Sequence, residues 1–136
     1  MACMDTTFLL DLAGRGGHAR GDRAGALLKT LSDAGDDLVT TRLNVAELWV
    51  GVERSNDSAA ERARVDTLLT DIEILELDAT AARIFGVLVA RLMALGRPIG
   101  DMDALIASIA LVNNHSLITR DAKHFRDIPD LDVISY

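Results

Sequence analysis

The sequence predicts an α/β protein of the open three-layer kind, a central parallel sheet of about five strands flanked by helices. Three observations predict it. Short β-branched or aliphatic runs recur at residues 1–4, 38–41, 72–77, 116–119 and 133–135. Helical patterns fill the gaps, at 8–12, 25–34, 43–54, 59–69, 79–95 and 102–113. The chain has 136 residues, 49% hydrophobic and 26% charged, enough for one substantial core and unlike a disordered or collagen-like polymer. Strands separated by helices are joined by crossovers, and crossovers give parallel pairing.

Taken in order, the first run is apolar to Met4 and then meets Asp5, Thr6 and Thr7, so this strand ends at a carboxylate and two hydroxyls. It holds Cys3, the one cysteine, which excludes an intramolecular disulfide and suits a reducing cytoplasm. The opening lacks the basic n-region of a secretory signal. No apolar stretch reaches the ~20 residues a membrane span needs. After helix 8–12, the Gly- and Arg-rich stretch 14–25 is expected to be a loop leading to helix 25–34. Arg15, Arg20 and Arg23 within it either meet phosphates or solvate a mobile connection.

Strand 38–41 leads into LNVAELWVGVER, where Val45, Ala46, Leu48, Trp49, Val50 and Val52 make the helix apolar around most of its circumference. Most of it should be buried, with Trp49 used in packing. Asn44, Glu47, Gly51 and Arg54 form its one polar-or-small stripe at helical spacing. That stripe faces either solvent or a cleft, and in a cleft Glu47 needs a cation to remain ionised. Helices 59–69 and 79–95 flank the strand at 72–77. The next helix opens with Asp101 and Asp103, about 200° apart on the helical wheel, so one is expected to cap while the other projects. The strand at 116–119 ends in Arg120 and Asp121, and the run at 133–135 supplies a last strand.

In open parallel sheets, ligands gather at the carboxyl ends of the strands, where strand order reverses. Asp5, Glu47, Asp103 and Asp121 lie on elements that can share that end. Singly, an aspartate at a helix start is also a favoured N-cap, worth about 1 kcal/mol over alanine. Together, converging carboxylates repel unless a hard cation sits between them. Mg²⁺ and Mn²⁺ prefer oxygen ligands, and such an ion makes water nucleophilic near neutral pH. The net charge of −7 argues against simple electrostatic binding of phosphates, but bridging metal ions remove the conflict.

The segments around these acids carry a resemblance. Asp-Thr-Thr-Phe-Leu-Leu at Asp5, Asn-Val-Ala-Glu-Leu at Glu47, Pro-Ile-Gly-Asp-Met-Asp-Ala-Leu-Ile-Ala at Asp103 and Leu-Ile-Thr-Arg-Asp-Ala-Lys-His-Phe at Asp121 resemble a PIN-domain protein. More closely, their order and spacing resemble the VapC toxins of type II toxin–antitoxin pairs. The resemblance implies a single PIN domain over residues 1–136 with a five-stranded parallel sheet. It implies a Mg²⁺- or Mn²⁺-dependent endoribonuclease that leaves 5′-phosphate and 3′-hydroxyl ends. Asp5, Glu47, Asp103 and Asp121 would form the catalytic and metal-binding site. Asp101 is second choice to Asp103, which better fits the family's Asp-x-Leu-Ile-Ala placement. Thr7 and Thr119 stand where the family often carries a hydroxyl or amide near the metal. A homodimer, an RNA substrate, a cytoplasmic location and a VapB-like antitoxin follow from the same resemblance.

Three alternatives remain at this point. Gly14-Arg15-Gly16-Gly17-His18-Ala19 matches G-x-G-x-x-A, the loose fingerprint of a dinucleotide-binding module. A catalytically silent PIN-like binding protein would keep the fold without turnover, and a PIN nuclease of RNA processing would lack the toxin role. Other chemistries find little support. His18, His115 and His124 lack paired metal-ligand spacing and are expected at surfaces or turns, and there is no nucleophile elbow, P-loop or zinc-type cysteine cluster.

Overall fold

A computed structural model describes all residues, 1–136. In chain order the elements are β1 (Ala2–Met4), α1 (Thr6–Leu12), α2 (His18–Asp33), β2 (Leu38–Thr41), α3 (Arg42–Glu53), α4 (Ser58–Leu69), β3 (Glu73–Leu75), α5 (Ala79–Ala94), α6 (Asp101–Val112), β4 (Ser116–Ile118) and β5 (Val133–Ile134). A single 3₁₀ turn, Ala122–His124, follows β4. The five strands form one sheet in the order β3-β2-β1-β4-β5, every pair parallel.

Alternation along β1 assembles the layers. Cys3 pairs with Val39 on one side and Leu117 on the other. All three are fully buried on the face packed with Leu88 and Leu92 of α5 and Ile106 and Ala110 of α6. Ala2, Met4 and Ile118 turn the other way, onto Phe8, Leu9, Leu48, Val52 and Val65. A sheet buried on both faces reads as continuous apolar runs, as these short strands do. Burial, with the charge of Asp5 adding to it, pushes the Cys3 thiol up to about 12. No helix is long and apolar enough to cross a membrane.

From β1 the chain builds outward to β2 and β3, then returns to place β4 and β5 on the other side. The strand order therefore reverses between β1 and β4, and the crevice beyond their carboxyl ends is where this topology binds ligands. Asp5 directly follows β1 and Thr119 directly follows β4.

Several expectations need correction. The stretch 14–25 is not a loop, because α2 begins at His18. Only the short turn at Ala13–Gly17 connects the first two helices, with Gly14 and Gly17 at φ of 78° and 85°. Glycine inside a helix costs roughly 1 kcal/mol against alanine. At Gly21 and Gly25 this is outweighed by the packing of Ala24, Leu27, Leu28 and Leu31 onto the core. Arg20 and Arg23 accordingly lie on an exposed helix surface, and Arg15 pairs with Glu61 of α4.

The G-x-G-x-x-A match follows helix α1 and not a strand, so it lacks the strand–turn–helix setting that a dinucleotide fingerprint requires. In α3, Val50 is 57% exposed, leaving that side of the helix less buried than its composition suggests. At α6 neither Asp101 nor Asp103 caps, since Gly100 occupies the N-cap. Strand β3 is also shorter than expected, and Leu77 beyond it is exposed.

Candidate active site

The crevice is organised around Asp5, which is only 6% exposed. Its Oδ1 accepts a hydrogen bond from the Thr6 backbone N–H at 2.6 Å, so Asp5 caps α1. The same oxygen accepts from Asn44 Nδ2 at 3.1 Å. Oδ2 accepts from the hydroxyls of Thr119 at 2.6 Å and Thr7 at 3.1 Å. Capping and placement in the cleft are thus not competing roles, because one carboxylate has oxygens for both. The Asp5 backbone N–H donates to Ile118 O at 3.0 Å, tying the end of β1 to the end of β4.

Asn44 is fully buried and orders the second edge of the cleft. Its Oδ1 accepts from the Thr41 hydroxyl at 2.7 Å, and its Nδ2 also donates to Thr6 Oγ1 at 3.0 Å. Thr41 caps α3 by accepting from the Asn44 backbone N–H at 3.1 Å. One turn further along, Glu47 accepts a hydrogen bond from the Thr6 hydroxyl. The stripe read from the sequence therefore splits: Asn44 and Glu47 face the cleft, while Gly51 and Arg54 are exposed. Trp49, as expected, packs partly buried against the core.

Asp103 enters from the first turn of α6, with its side chain 32% exposed. His124 Nδ1 lies 3.5 Å from Asp103 Oδ2. Asp121 begins the 3₁₀ turn; its backbone N–H donates to Thr119 Oγ1 at 3.1 Å, and its side chain makes no capping bond. Asp101 is exposed.

Electrostatics joins the four carboxylates. The Glu47 carboxyl is raised above its ordinary value chiefly by burial, against the lowering effect of the Thr6 hydrogen bond and with the charges of Asp5 and Asp103 adding to it. Asp103 is raised too, first by burial, which the nearby His124 opposes and the charges of Asp5 and Asp121 reinforce. All four therefore share one field at the switch point. They do not form a closed cage: no three His, Cys, Asp or Glu side chains are near enough to make a ready metal cluster. The donor set nevertheless fits a hard divalent cation. It is all oxygen, and two of its members are pushed toward protonation by burial and by neighbouring carboxylates, which a bound cation relieves.

Some contributors were not legible beforehand. Thr6, Asn44 and His124 touch the candidate carboxylates, although the sequence marked Asn44 only as a stripe member and His124 only as a surface or turn residue. A polar residue inside the apolar run FLLDLA was the available signal for Asp11, which is buried and paired with Arg120.

The PIN domain pattern matches residues 2–131. Ribonuclease VapC19 of Mycobacterium tuberculosis is 36% identical over 135 residues, covering 96% of this chain and 97% of that protein. Ribonuclease VapC2 of Rickettsia felis is also 36% identical, over 87 residues, 64% of this chain and 65% of that one. Among solved structures, VapBC2 from Rickettsia felis, bound to a DNA fragment from its promoter, superposes with a TM-score of 0.87 at 25% identity, covering 99% of this chain and 98% of that chain. VapBC-1 from nontypeable Haemophilus influenzae superposes with a TM-score of 0.84 at 26% identity, covering 98% and 96%. Pattern, sequence and backbone agree over nearly the full length, and the chain belongs to the PIN-domain family and, within it, to the VapC ribonucleases.

Proposed function

We propose that this chain, as a single PIN domain over residues 1–136, is a Mg²⁺- or Mn²⁺-dependent endoribonuclease and the toxin of a toxin–antitoxin pair. The observation that supports the metal-dependent reading is the electrostatic coupling of Glu47 to Asp5 and Asp103, and of Asp103 to Asp5 and Asp121, beyond the carboxyl ends of β1 and β4. The 36% identity with ribonuclease VapC19 supports the substrate class and the toxin role.

When bound, the divalent cation supplies acidified water and offsets charge on the attacked phosphate. The chain's own groups do the rest. Asp5 is held by four donors, so its carboxylate presents a fixed edge to the cleft. Thr6 fixes Glu47 opposite it, and the Thr7 and Thr119 hydroxyls spend their hydrogens on Asp5. Asp103 and Asp121 complete the acidic rim, and the nearby His124 favours the ionised form of Asp103 against burial. Asp101, exposed, remains the second choice as a ligand.

Cleavage would leave 5′-phosphate and 3′-hydroxyl ends. The solved VapBC relatives support a VapB-like antitoxin as partner, and a basic antitoxin segment suits a protein of net charge −7. A homodimer acting in the cytoplasm belongs to the same proposal. The test is cleavage of total RNA by purified protein with Mg²⁺ or Mn²⁺, followed by sequencing of the cut ends. Cleavage dependent on the ion and abolished by excess EDTA is expected. Undiminished cleavage in EDTA overturns the metal-dependent mechanism.

A further inference from the structure

Beside the acidic cleft, but outside it, lies a second charged group that the proposed chemistry does not use. Asp11, on the last turns of α1, has a side chain only 1% exposed. Its two carboxylate oxygens accept from Arg120 Nη1 at 3.0 and 2.9 Å, and Oδ2 also accepts from the Tyr136 hydroxyl at 2.8 Å. The Tyr136 ring stands edge-on to Phe8 with centroids 4.9 Å apart, so the hydroxyl is aimed by packing. Gly16 closes over the same carboxylate, where a Cβ would collide with Asp11 Oδ1.

Taking a carboxylate and a guanidinium out of water is costly, and apolar side chains of similar volume often stabilise a fold as well or better. Packing alone therefore gives no reason for this pair. Its position does. Arg120 stands between Thr119, which donates to Asp5, and Asp121, a candidate ligand. The Arg120 backbone N–H donates to Thr7 Oγ1 at 3.1 Å, and Thr7 donates in turn to Asp5. The segment Thr119–Asp121 is thus held at both ends of one residue. The Arg120 backbone is tied to the Asp5 network, and its guanidinium is tied to Asp11 and Tyr136.

We propose that Asp11 and Tyr136 clamp Arg120 as a positioning residue, fixing the turn after β4 so that Thr119 and Asp121 face Asp5 and Asp103. The inference rests on the function proposed above and adds three residues that act through Thr119 and Asp121. Both contacts come from one guanidinium nitrogen, Nη1, so charge and the reach of the side chain, rather than a two-nitrogen fork, hold Arg120 against Asp11.

Two variants test it. Arg120→Lys keeps a charge beside Asp11 but places it on a shorter, more flexible stem, which loosens the tie. The triple variant Asp11→Leu, Arg120→Met, Tyr136→Phe replaces the whole group by apolar side chains. Each is measured for thermal stability, for Mn²⁺ affinity by calorimetry without RNA, and for kcat and KM on RNA. With folding retained, kcat and Mn²⁺ affinity should each fall by about 10–100-fold, the scale for losing partners that orient ligands, while KM changes little. Should the triple variant not fold, Arg120→Lys decides alone. A folded variant that binds Mn²⁺ and cleaves as the unmodified protein does reduces the clamp to a structural ion pair and overturns the inference. Unmodified protein that neither binds Mn²⁺ nor cleaves RNA defeats the function proposed above, and the clamp with it.

Discussion

Replacing Asn44 by alanine removes three side-chain hydrogen bonds and leaves the backbone of α3 in place. The cap from Thr41 survives, because it uses the Asn44 main-chain N–H. Lost are the bonds from Thr41 to Oδ1 at 2.7 Å, from Nδ2 to Thr6 at 3.0 Å and from Nδ2 to the Asp5 carboxylate at 3.1 Å. Two neutral bonds at about 1 kcal/mol each and one charge-assisted bond at about 2 kcal/mol sum to roughly 4 kcal/mol. Alanine's higher helix propensity returns about 0.6 kcal/mol, and water entering the gap returns some more. A net loss of about 3 kcal/mol is expected, near 10 °C in Tm for a domain of this size. The assay is thermal and urea unfolding followed by circular dichroism in EDTA, with RNA cleavage measured in parallel. Cleavage should fall as well, since Asp5 loses one of its four donors. A loss under about 1 kcal/mol with full cleavage would refute the reasoning, because the buried amide would then not be what orients Asp5.

Further outcomes are expected at Asp103 and at Tyr136. Asp103→Asn should lower RNA cleavage by about 10²-fold or more, the scale for removing one electrostatic partner of a reacting centre, while exposed Asp101→Asn stays within about twofold. The Asp103 variant should melt no lower than the parent in EDTA, because its carboxyl is raised by burial and by Asp5 and Asp121 despite His124; the reverse order of the two variants would exchange their roles. Tyr136, the single tyrosine, is held above its ordinary value near 10 first by burial and then by the Asp11 carboxylate that its hydroxyl bonds. A raised folded value favours the neutral phenol, so this stabilisation is complete below the unfolded value and is lost as pH rises through the folded one. Tyrosinate absorbance should therefore appear later than in an unfolded chain, and earlier again in Asp11→Asn. Ionisation of the native protein at the ordinary value would refute the contact.

The sheet was legible because strands buried on both faces must be apolar, and Cys3, Val39 and Leu117 stand in runs too short for buried helices. Strand ends also exposed Asp5 and Asp121, since a carboxylate within a few residues of such a run lands at the rim of the sheet. Helix α2 was misread because Gly21 and Gly25 speak for a turn locally, while the opposing argument comes from core packing at Leu28 and Leu31. The partners of Thr6 and Asn44 were hidden for a related reason. Thr6 meets Asn44 across 38 positions and Glu47 across 41, and no local pattern reports a partner so distant. The capping question at Asp5 had no sequence answer, because both outcomes hold at once on different oxygens.

The first strand of the chain stands in the middle of the sheet, flanked by β2 and by β4. Asp5 therefore leaves the ribosome early, but its hydrogen-bond partner Thr119 follows only 114 positions later. Synthesis runs from the N-terminus and a domain folds as a unit, so every nascent fragment that stops before β4 lacks Asp121 and the Thr119 donor. An enzyme whose target is RNA would thereby be assembled on a machine made of RNA before its proposed site is complete.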